Sequence, residues 1–235
     1  MEFMQKLSNY NLLRTLLLCS LLVSTFCSDT WADTLNNVGD LKPGTRMAGY
    51  LFSKTVEAEL LQTIKFWERK LNQQQGCNER SLGPSSFILH KPIIFPQDKS
   101  NPVSGVWQYR FTVSRCGVEK VYNTIYMANN GGPPKNIPYV PGTTRASLQL
   151  IGDAKLSAIT MAFLKMKSQG MQEVCEGIEL VDTRLTQPPH DVTENDKTTK
   201  GVWHEEWTFS GCDFTANVTA VFIPDDSGGT SFTFD

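Results

Sequence analysis

The sequence predicts an α+β protein in which one unit, a helix followed by three antiparallel strands, occurs twice in tandem. Two short motifs carry this prediction: Gly-Val-Trp at 105–107 recurs at 201–203, and Pro-Gly-Thr at 43–45 recurs at 141–143. A cysteine follows each motif at the same distance in both copies. Because self-similarity at a fixed interval is typical of repeated structural units, we expect repeat unit 1 at 43–140 and repeat unit 2 at 141–235.

The first residues predict export from the cytoplasm. Lys6 and Arg14 precede an apolar run at 15–26 that is short for a membrane span, and residues 30–32 place small side chains where a signal peptidase cleaves. We therefore expect a signal peptide at 1–32, cut after Ala32, and a secreted or periplasmic protein with no stable membrane span afterwards. An uncleaved anchor is the alternative. Residues 33–42 are expected to be a mobile polar lead.

Four cysteines remain after the predicted cleavage: Cys77, Cys116, Cys175 and Cys212. An even number of cysteines in an exported chain implies disulfides, and four allow three pairings. If both copies fold by the same rules, each unit contains its own bond: Cys77–Cys116 in unit 1 and Cys175–Cys212 in unit 2. A zinc site is the alternative, but neither copy has a Cys-x-x-Cys pair or a histidine near its cysteines.

Each unit begins with a predicted helix, because apolar residues recur at three- and four-residue spacing and so share one helix face. The predicted buried faces contain Val56, Leu60, Ile64, Trp67 and Leu71 in unit 1, and Leu156, Ile159, Phe163 and Met166 in unit 2. Thr55 and Asp153, at equivalent positions, are the predicted N-caps. A short extended piece is expected before each helix, at 47–52 and at 147–151.

Three strands are predicted after each helix: 86–94, the Gly-Val-Trp segment and 119–127 in unit 1, and 178–185, the second Gly-Val-Trp segment and 214–223 in unit 2. The middle strand alternates between aromatic and polar residues. The aromatic face contains Trp107, Tyr109, Phe111 and Val113 in unit 1, and Trp203, Trp207 and Phe209 in unit 2. We expect this face to pack on the helix and the opposite polar face to contact water.

Segments rich in proline, glycine and polar residues predict loops. Residues 96–104 and 188–200 are expected to be long hairpin loops between the first and second strands, and 131–142 an irregular joint between the units. Residues 225–229 are expected to form a turn. The two units can form one six-stranded sheet with both helices on one face, or two separate lobes, and the sequence leaves both arrangements open.

Charge is distributed unequally between the predicted units. Residues 43–140 contain 12 Lys and Arg against 6 Asp and Glu, whereas residues 141–235 contain 7 against 14. The net charges of +6 and −7 indicate either that the units attract each other or that they present a basic and an acidic face to partners, with neutral drift as the alternative. No nucleic-acid partner is expected, because the cations are scattered along the first unit.

The sequence contains no motif that identifies a reaction. It has no G-x-S-x-G elbow, P-loop or dinucleotide motif, and the four remaining cysteines are assigned to disulfides. The segment at 204–206, His-Glu-Glu, lacks the second histidine of a zinc-binding helix and lies on a predicted strand. We therefore predict no catalytic residue, no metal and no cofactor.

A non-enzymatic binding protein with a protein partner, or an inhibitor-like protein, is the function that these observations favour. The candidate binding surface contains Trp67, Gln108, Arg110, His190, His204 and Glu206. One alternative is an exported hydrolase with a cleft between the units that uses carboxylates together with His190 or His204. Another is a carrier that holds a small apolar ligand between helix and sheet. The oligomeric state is left open.

Overall fold

Two antiparallel sheets form most of the protein. The structure, a computed structural model, describes residues 32–70, 79–171, 175 and 177–235, so residues 1–31 of the predicted signal peptide, Leu71 and Cys77 lie outside the described residues. The first sheet has the strand order β1-β2-β3-β4-β5 and the second β6-β7-β8-β9. The described chain therefore contains two sheets in place of one six-stranded sheet.

The strands of each sheet are consecutive along the chain. The strands of the first sheet are β1 (Asp33–Leu35), β2 (Arg80–Phe95), β3 (Ser104–Arg115), β4 (Val118–Asn129) and β5 (Gly132–Tyr139). Those of the second are β6 (Glu179–Glu194), β7 (Lys197–Gly211), β8 (Phe214–Pro224) and β9 (Thr230–Phe234). The helices are a short 3₁₀ turn (Val38–Asp40), α1 (Arg46–Leu51), α2 (Lys54–Lys70) and α3 (Leu148–Ser168).

Helix α2 packs on the first sheet with the face that the sequence predicts. Val56, Leu60, Ile64 and Trp67 are buried in one cluster with the aromatic side chains of β3 and β4. The predicted N-cap is wrong, because α2 begins at Lys54. The hydroxyl of Ser53 accepts a hydrogen bond from the Val56 N–H at 3.3 Å and so satisfies one of the unpaired N–H groups of the first turn.

Of the face predicted for helix α3 only Met166 is fully buried. Its buried residues are Ile151, Ala154, Ala158, Ala162 and Met166, whereas Leu156 is 75% exposed and Ile159 and Phe163 are half-buried. The helix is apolar around much of its circumference, so spacing alone does not select a face. Alanine is buried because it lets the helix backbone approach the large aromatic residues of β7 and β8. The helix begins at Leu148 and its N-cap is Ser147, not Asp153.

Residues before the helices are also more regular than predicted. The lead is part of the fold, because β1 pairs with the end of β2 and Leu35 is buried in the first core. Residues 46–51 are helical rather than extended, and the Thr45 hydroxyl caps α1 by accepting from the Ala48 N–H at 3.2 Å. Residues 148–151 belong to α3.

The segment at 188–200, predicted as a loop, is a two-stranded extension of β6 and β7. The strands are joined by a two-residue turn at Asn195 and Asp196, whose φ angles of 48° and 62° are those of a tight hairpin turn. We call residues 187–200 the β6–β7 arm. The shorter connection at 96–103 is a loop, as predicted.

Each sheet has four strands after its helix, one more than the sequence predicts. The predicted joint at 131–142 contains β5, and the last residues form β9. Three prolines are compatible with β5 because it is the edge strand of the first sheet, and two of them lie where its pairing with β4 is irregular. Residues 225–229 form the predicted turn, in which Asp225 Oδ1 accepts from the N–H groups of Ser227 and Gly229.

The central hairpins of the two sheets share one register. Trp107 pairs with Tyr126 in the first sheet, and Trp203 pairs with Phe222 in the second. Trp203 follows Trp107 by the same number of residues as Phe222 follows Tyr126. The hairpin turns also match, since Cys116 and Cys212 each occupy the first turn position with φ of 49° and 51°.

Cys175 and Cys212 form the disulfide predicted for the second half, with an S–S distance of 2.10 Å. It joins the segment after α3 to the turn between β7 and β8, so it fixes the helix end to the sheet. Cys116 is also disulfide-bonded, and its predicted partner Cys77 lies outside the described residues.

The segment between β5 and α3, residues 140–146, joins the two sheets edge to edge, and we call it the linker. Its Gly142 N–H donates to the Val121 carbonyl on β4 at 2.9 Å, and its Thr143 N–H donates to the Thr183 carbonyl on β6 at 2.7 Å. The linker therefore occupies the space between the sheets, where the hydrolase alternative expects a cleft.

Candidate functional site

The β6–β7 arm and the neighbouring part of β8 line a groove of about 720 Å³. We call the apolar part of its lining, Val192, Val202, Val221 and Ile223, the apolar wall. Polar side chains lie between these residues, since His190 pairs with Val202 and His204 with Val221. The polar lining residues are Gln187, His190, Glu194, Asn195, Lys197, Thr199 and His204. A volume within about 300–1,000 Å³, apolar walls and a few polar groups are typical of ligand sites.

Strand irregularities shape this arm. The pairing of β6 with β7 shifts register between Leu185 and Gln187, between Gln187 and His190, and between His190 and Val192. Such bulges bend and twist the strand that contains them. Gly201, with φ of 71°, donates its N–H to Asp191 Oδ1 at 3.1 Å, so a side chain holds the arm where the regular ladder is interrupted.

Two of the predicted surface residues, His190 and His204, meet in this groove. They lie on neighbouring strands with their ring centroids 5.7 Å apart and their planes tilted by 37°. His190 Nδ1 is 3.0 Å from the Pro188 carbonyl oxygen. Because a carbonyl oxygen only accepts, this contact assigns the proton of the neutral ring to Nδ1 and leaves a lone pair on Nε2.

The corresponding place in the first sheet is occupied by a histidine and a glutamine. His90 Nε2 is 3.0 Å from Gln108 Oε1, and the Gln108 amide in turn donates to Asn123 Oδ1 at 2.9 Å. Gln108, at the position equivalent to His204, is only 4% exposed. The polar face of β3 is thus not open to water at this position, contrary to the prediction.

Arg110 belongs to the junction between the sheets. Its guanidinium donates to Asn123 Oδ1 at 3.1 Å and to the carbonyl of Thr144 in the linker at 2.6 Å. Burial lowers the pKa of Arg110, and the negative charge of Glu205 partly opposes this shift. Asn123 completes the junction by donating to the carbonyls of Val140 and Gly142. These contacts orient the linker; they leave no open binding surface at Gln108.

Glu205 is a buried residue that the sequence reading overlooked. It is 0% exposed and accepts three hydrogen bonds, from the indole N–H groups of Trp203 at 3.0 Å and Trp207 at 2.8 Å and from the Arg145 backbone N–H at 2.7 Å. Strict alternation along β7 places residue 205 on the same face as Trp203 and Trp207, so the sequence pattern itself indicates that Glu205 is buried. The carboxylate fixes both tryptophans and the end of the linker just before α3.

The remaining predicted surface residues lie elsewhere. Trp67 is buried in the first core, where its ring centroid is 5.4 Å from that of Phe66, so it is not a contact residue. Glu206 lies on the same face of β7 as His204 and forms an ion pair with Arg184 at 2.9 Å. The structure therefore brings together His190 and His204 but does not unite the six candidates in one surface.

A second, smaller cavity of about 180 Å³ lies between α2 and strands β2 and β3. Its lining includes Leu51, Val56, Leu60, Leu82 and Phe111. It is the place where the carrier alternative expects an apolar ligand, but its volume is below the usual range for ligand pockets.

Comparison with protein families, curated proteins and solved structures finds no match to this chain. Within the described ranges, no helix has the length and apolar character needed to span a bilayer. The same part of the chain contains no group of three or more His, Cys, Asp or Glu side chains arranged to hold a metal ion.

Proposed function

We propose that this chain is an exported binding protein built from two copies of one unit, and that the groove beneath the β6–β7 arm holds an extended segment of a protein partner. The groove carries the proposal because it combines an apolar wall with polar side chains at hydrogen-bonding positions. β6 is the edge strand of the second sheet, so an extended segment can also pair with its backbone.

The charge of the second half indicates the chemistry of the partner. Residues 141–235 have a net charge of −7, and the arm contains Asp191, Glu194 and Asp196 together with Lys197 and Lys200, so most of the negative charge lies outside the arm. A partner segment with net positive charge is attracted to this half, which accelerates association and selects against acidic partners.

Three observations support the duplication. A helix followed by a four-stranded antiparallel meander occurs in both halves. The central hairpins have the same register. The buried positions Val56, Leu60 and Ile64 of α2 correspond to Ala154, Ala158 and Ala162 of α3 at the interval that separates Cys77 from Cys175.

Export is supported by the signal-like first residues and by the Cys175–Cys212 disulfide, since such bonds persist in oxidising compartments. Strand β1 begins at Asp33, directly after the predicted cleavage position. Sequencing the N-terminus of the protein recovered from the medium or the periplasm tests this part. An N-terminus upstream of Ala32, or retention in the cytoplasm, contradicts it.

The binding proposal is tested by selecting short extended peptides from a random display library on the immobilised protein. We expect the selected peptides to be basic, and their binding to weaken as salt is raised. The substitution Ile223→Arg, which places a cation in the apolar wall, should abolish binding. The matched control is Met127→Arg, because Met127 occupies the equivalent exposed position of β4 in the first sheet. Peptides that bind the Ile223→Arg protein as well as the unaltered protein contradict the proposal.

A further inference from the structure

We propose that His190 and His204 form a two-histidine site for a divalent transition-metal ion, with Cu²⁺ preferred over Ni²⁺ and Zn²⁺. Imidazole nitrogen is a good ligand for all three ions, and nitrogen sites bind Cu²⁺ most tightly of them. The site does not depend on the peptide partner proposed above, because it requires only these two side chains.

The separation of the two rings fits a shared ion. Imidazoles that bind one metal ion through nitrogen at about 2.1 Å have ring centroids about 5–6 Å apart, and the centroids of His190 and His204 are separated by 5.7 Å. The side chains come from adjacent antiparallel strands, where β6 pairs His190 with Val202 and Gln187 with His204. Diagonal neighbours across such a pair lie within reach of each other.

The surroundings of His190 match those of a metal ligand. Metal-binding histidines usually donate their second ring N–H to a carbonyl or carboxylate, which fixes the tautomer and the ring orientation. The contact between His190 Nδ1 and the Pro188 carbonyl supplies this interaction, so Nε2 is free to bind the ion. Both rings line the groove, through which an ion and its water ligands can enter.

The first sheet places a single histidine, His90, beside Gln108, although the register position of His190 is occupied there by Lys91. His90 Nε2 is engaged with Gln108 Oε1, and because that oxygen only accepts, Nε2 carries a proton there. Gln108 stands where the second sheet has His204. The chain therefore contains its own comparison: a histidine–glutamine pair joined by a hydrogen bond in one half, and a pair of histidines in the other.

The two histidines fill only part of the coordination sphere of the proposed metal ion. Since the described residues hold no cluster of three or more ligating side chains, water or a bound partner must complete the coordination of the ion. A two-ligand site binds more weakly than a structural zinc site and is expected to exchange its metal. The lining residues Glu194 and Lys197 carry opposite charges, so they contribute little net charge to the groove.

Calorimetric titration of the mature protein with CuCl₂ and, separately, NiCl₂ tests the site, with His190→Gln, His204→Gln and His90→Gln proteins alongside. We expect one ion per chain in the unaltered protein. Each of the first two substitutions removes one of two linked ligands and should weaken binding about 100-fold, whereas His90→Gln should leave it unchanged. Electron paramagnetic resonance of the copper complex should show two imidazole nitrogens, and one after His204→Gln.

Several results would overturn the site. They are unaltered affinity in both His190→Gln and His204→Gln, an equal loss in His90→Gln, or a copper spectrum without imidazole nitrogen. His190 is exposed on the arm, so its substitution tests the site without disturbing either core. Metal is titrated without peptide, and peptides are selected in the presence of a chelator. Failure of the metal site and failure of the peptide proposal are therefore distinguishable.

Discussion

The two halves of the chain hold the end of their helix against the sheet by opposite means. In the first half, Glu68 is 2% exposed and accepts two hydrogen bonds from the Arg80 guanidinium, at 2.9 and 2.7 Å, with Arg115 at 3.5 Å. At the equivalent positions the second half has Met166, Ile178 and Gly211. A buried ionic cluster in one half therefore corresponds to an apolar contact in the other.

On the middle strands, β3 and β7, it is the second half that has the buried carboxylate. Tyr109 is buried in the first half and donates its hydroxyl hydrogen to the Leu51 carbonyl at 2.6 Å. The equivalent residue of the second half is Glu205, with its three N–H donors. The same arrangement of helix and strands can therefore hold a buried carboxylate at the end of the helix or on the middle strand, provided that neighbouring groups donate hydrogen bonds to it.

The largest expected effect comes from removing the carboxylate of the second half. Glu205→Leu leaves two buried indole N–H groups and the part-buried backbone N–H of Arg145 without an acceptor, and we expect it to lower the free energy of unfolding by about 4 kcal/mol. Glu206→Leu, the neighbour that forms a more exposed ion pair, should cost less than about 1 kcal/mol. Urea unfolding followed by tryptophan fluorescence measures both. Equal losses in the two proteins would show that Glu205 is not the organising residue of this core.

The ionic cluster of the first half should be the next most sensitive. Glu68→Met introduces the second-half residue but removes the buried Glu68 carboxylate from Arg80 and Arg115, and we expect a loss of about 3 kcal/mol. Adding Arg80→Ile, again the second-half residue, should recover at least half of that loss, because an apolar contact can replace a complete buried pair. A double variant that is less stable than the single one would mean that Arg80 stabilises this half independently of Glu68.

Helix packing distinguishes the halves to a smaller extent. Ala158→Leu gives α3 the residue that α2 has at Leu60, but the space beneath α3 is filled by aromatic side chains, so we expect overpacking to cost about 2 kcal/mol. Leu156→Ala, on the exposed side, should change stability by less than about 0.5 kcal/mol. Thermal unfolding of both variants checks which helix face is buried. A larger loss in Leu156→Ala would favour the face that spacing predicted.

Strands and helices differ in how far their sequence pattern reveals the buried face. Alternation in β3 and β7 predicted the burial of Trp107, Phe111, Trp203 and Trp207 because a strand has a strict two-residue period. The buried face of α3 was not predictable in this way, since both Leu156 and Ala158 lie on helical repeats and only the shape of the sheet decides between them. The arm and β5 were missed because their proline-rich and polar residues indicate loops until the neighbouring strand is known.

The candidate site was less accessible to sequence reasoning than the fold. His190 and His204 are both predicted surface residues, but their contact depends on three register shifts in β6 that local sequence does not specify. Gln108 and Arg110 were expected to contact water because they alternate with aromatic residues. In the structure Arg110 donates to the linker, and Gln108 is engaged by His90 and Asn123, contacts that form only in the tertiary structure.

The smallest predicted effect is a loss of stability at alkaline pH that arises in the first half only. Every tyrosine after residue 33 lies at or before Tyr139, so only the first half and its boundary have tyrosines to ionise. Burial, followed by the charge of Glu68, raises the pKa of Tyr122 from 10.0 to about 12. A raised pKa in the folded state contributes stability that is fully present below pH 10 and is lost as the pH rises through 12. Tyr122→Phe should therefore retain about 1 kcal/mol more stability than the unaltered protein on going from about pH 9 to about pH 11. Urea unfolding at both pH values measures this difference, and an identical pH dependence in the two proteins would show that Tyr122 does not contribute to alkaline unfolding of the first half.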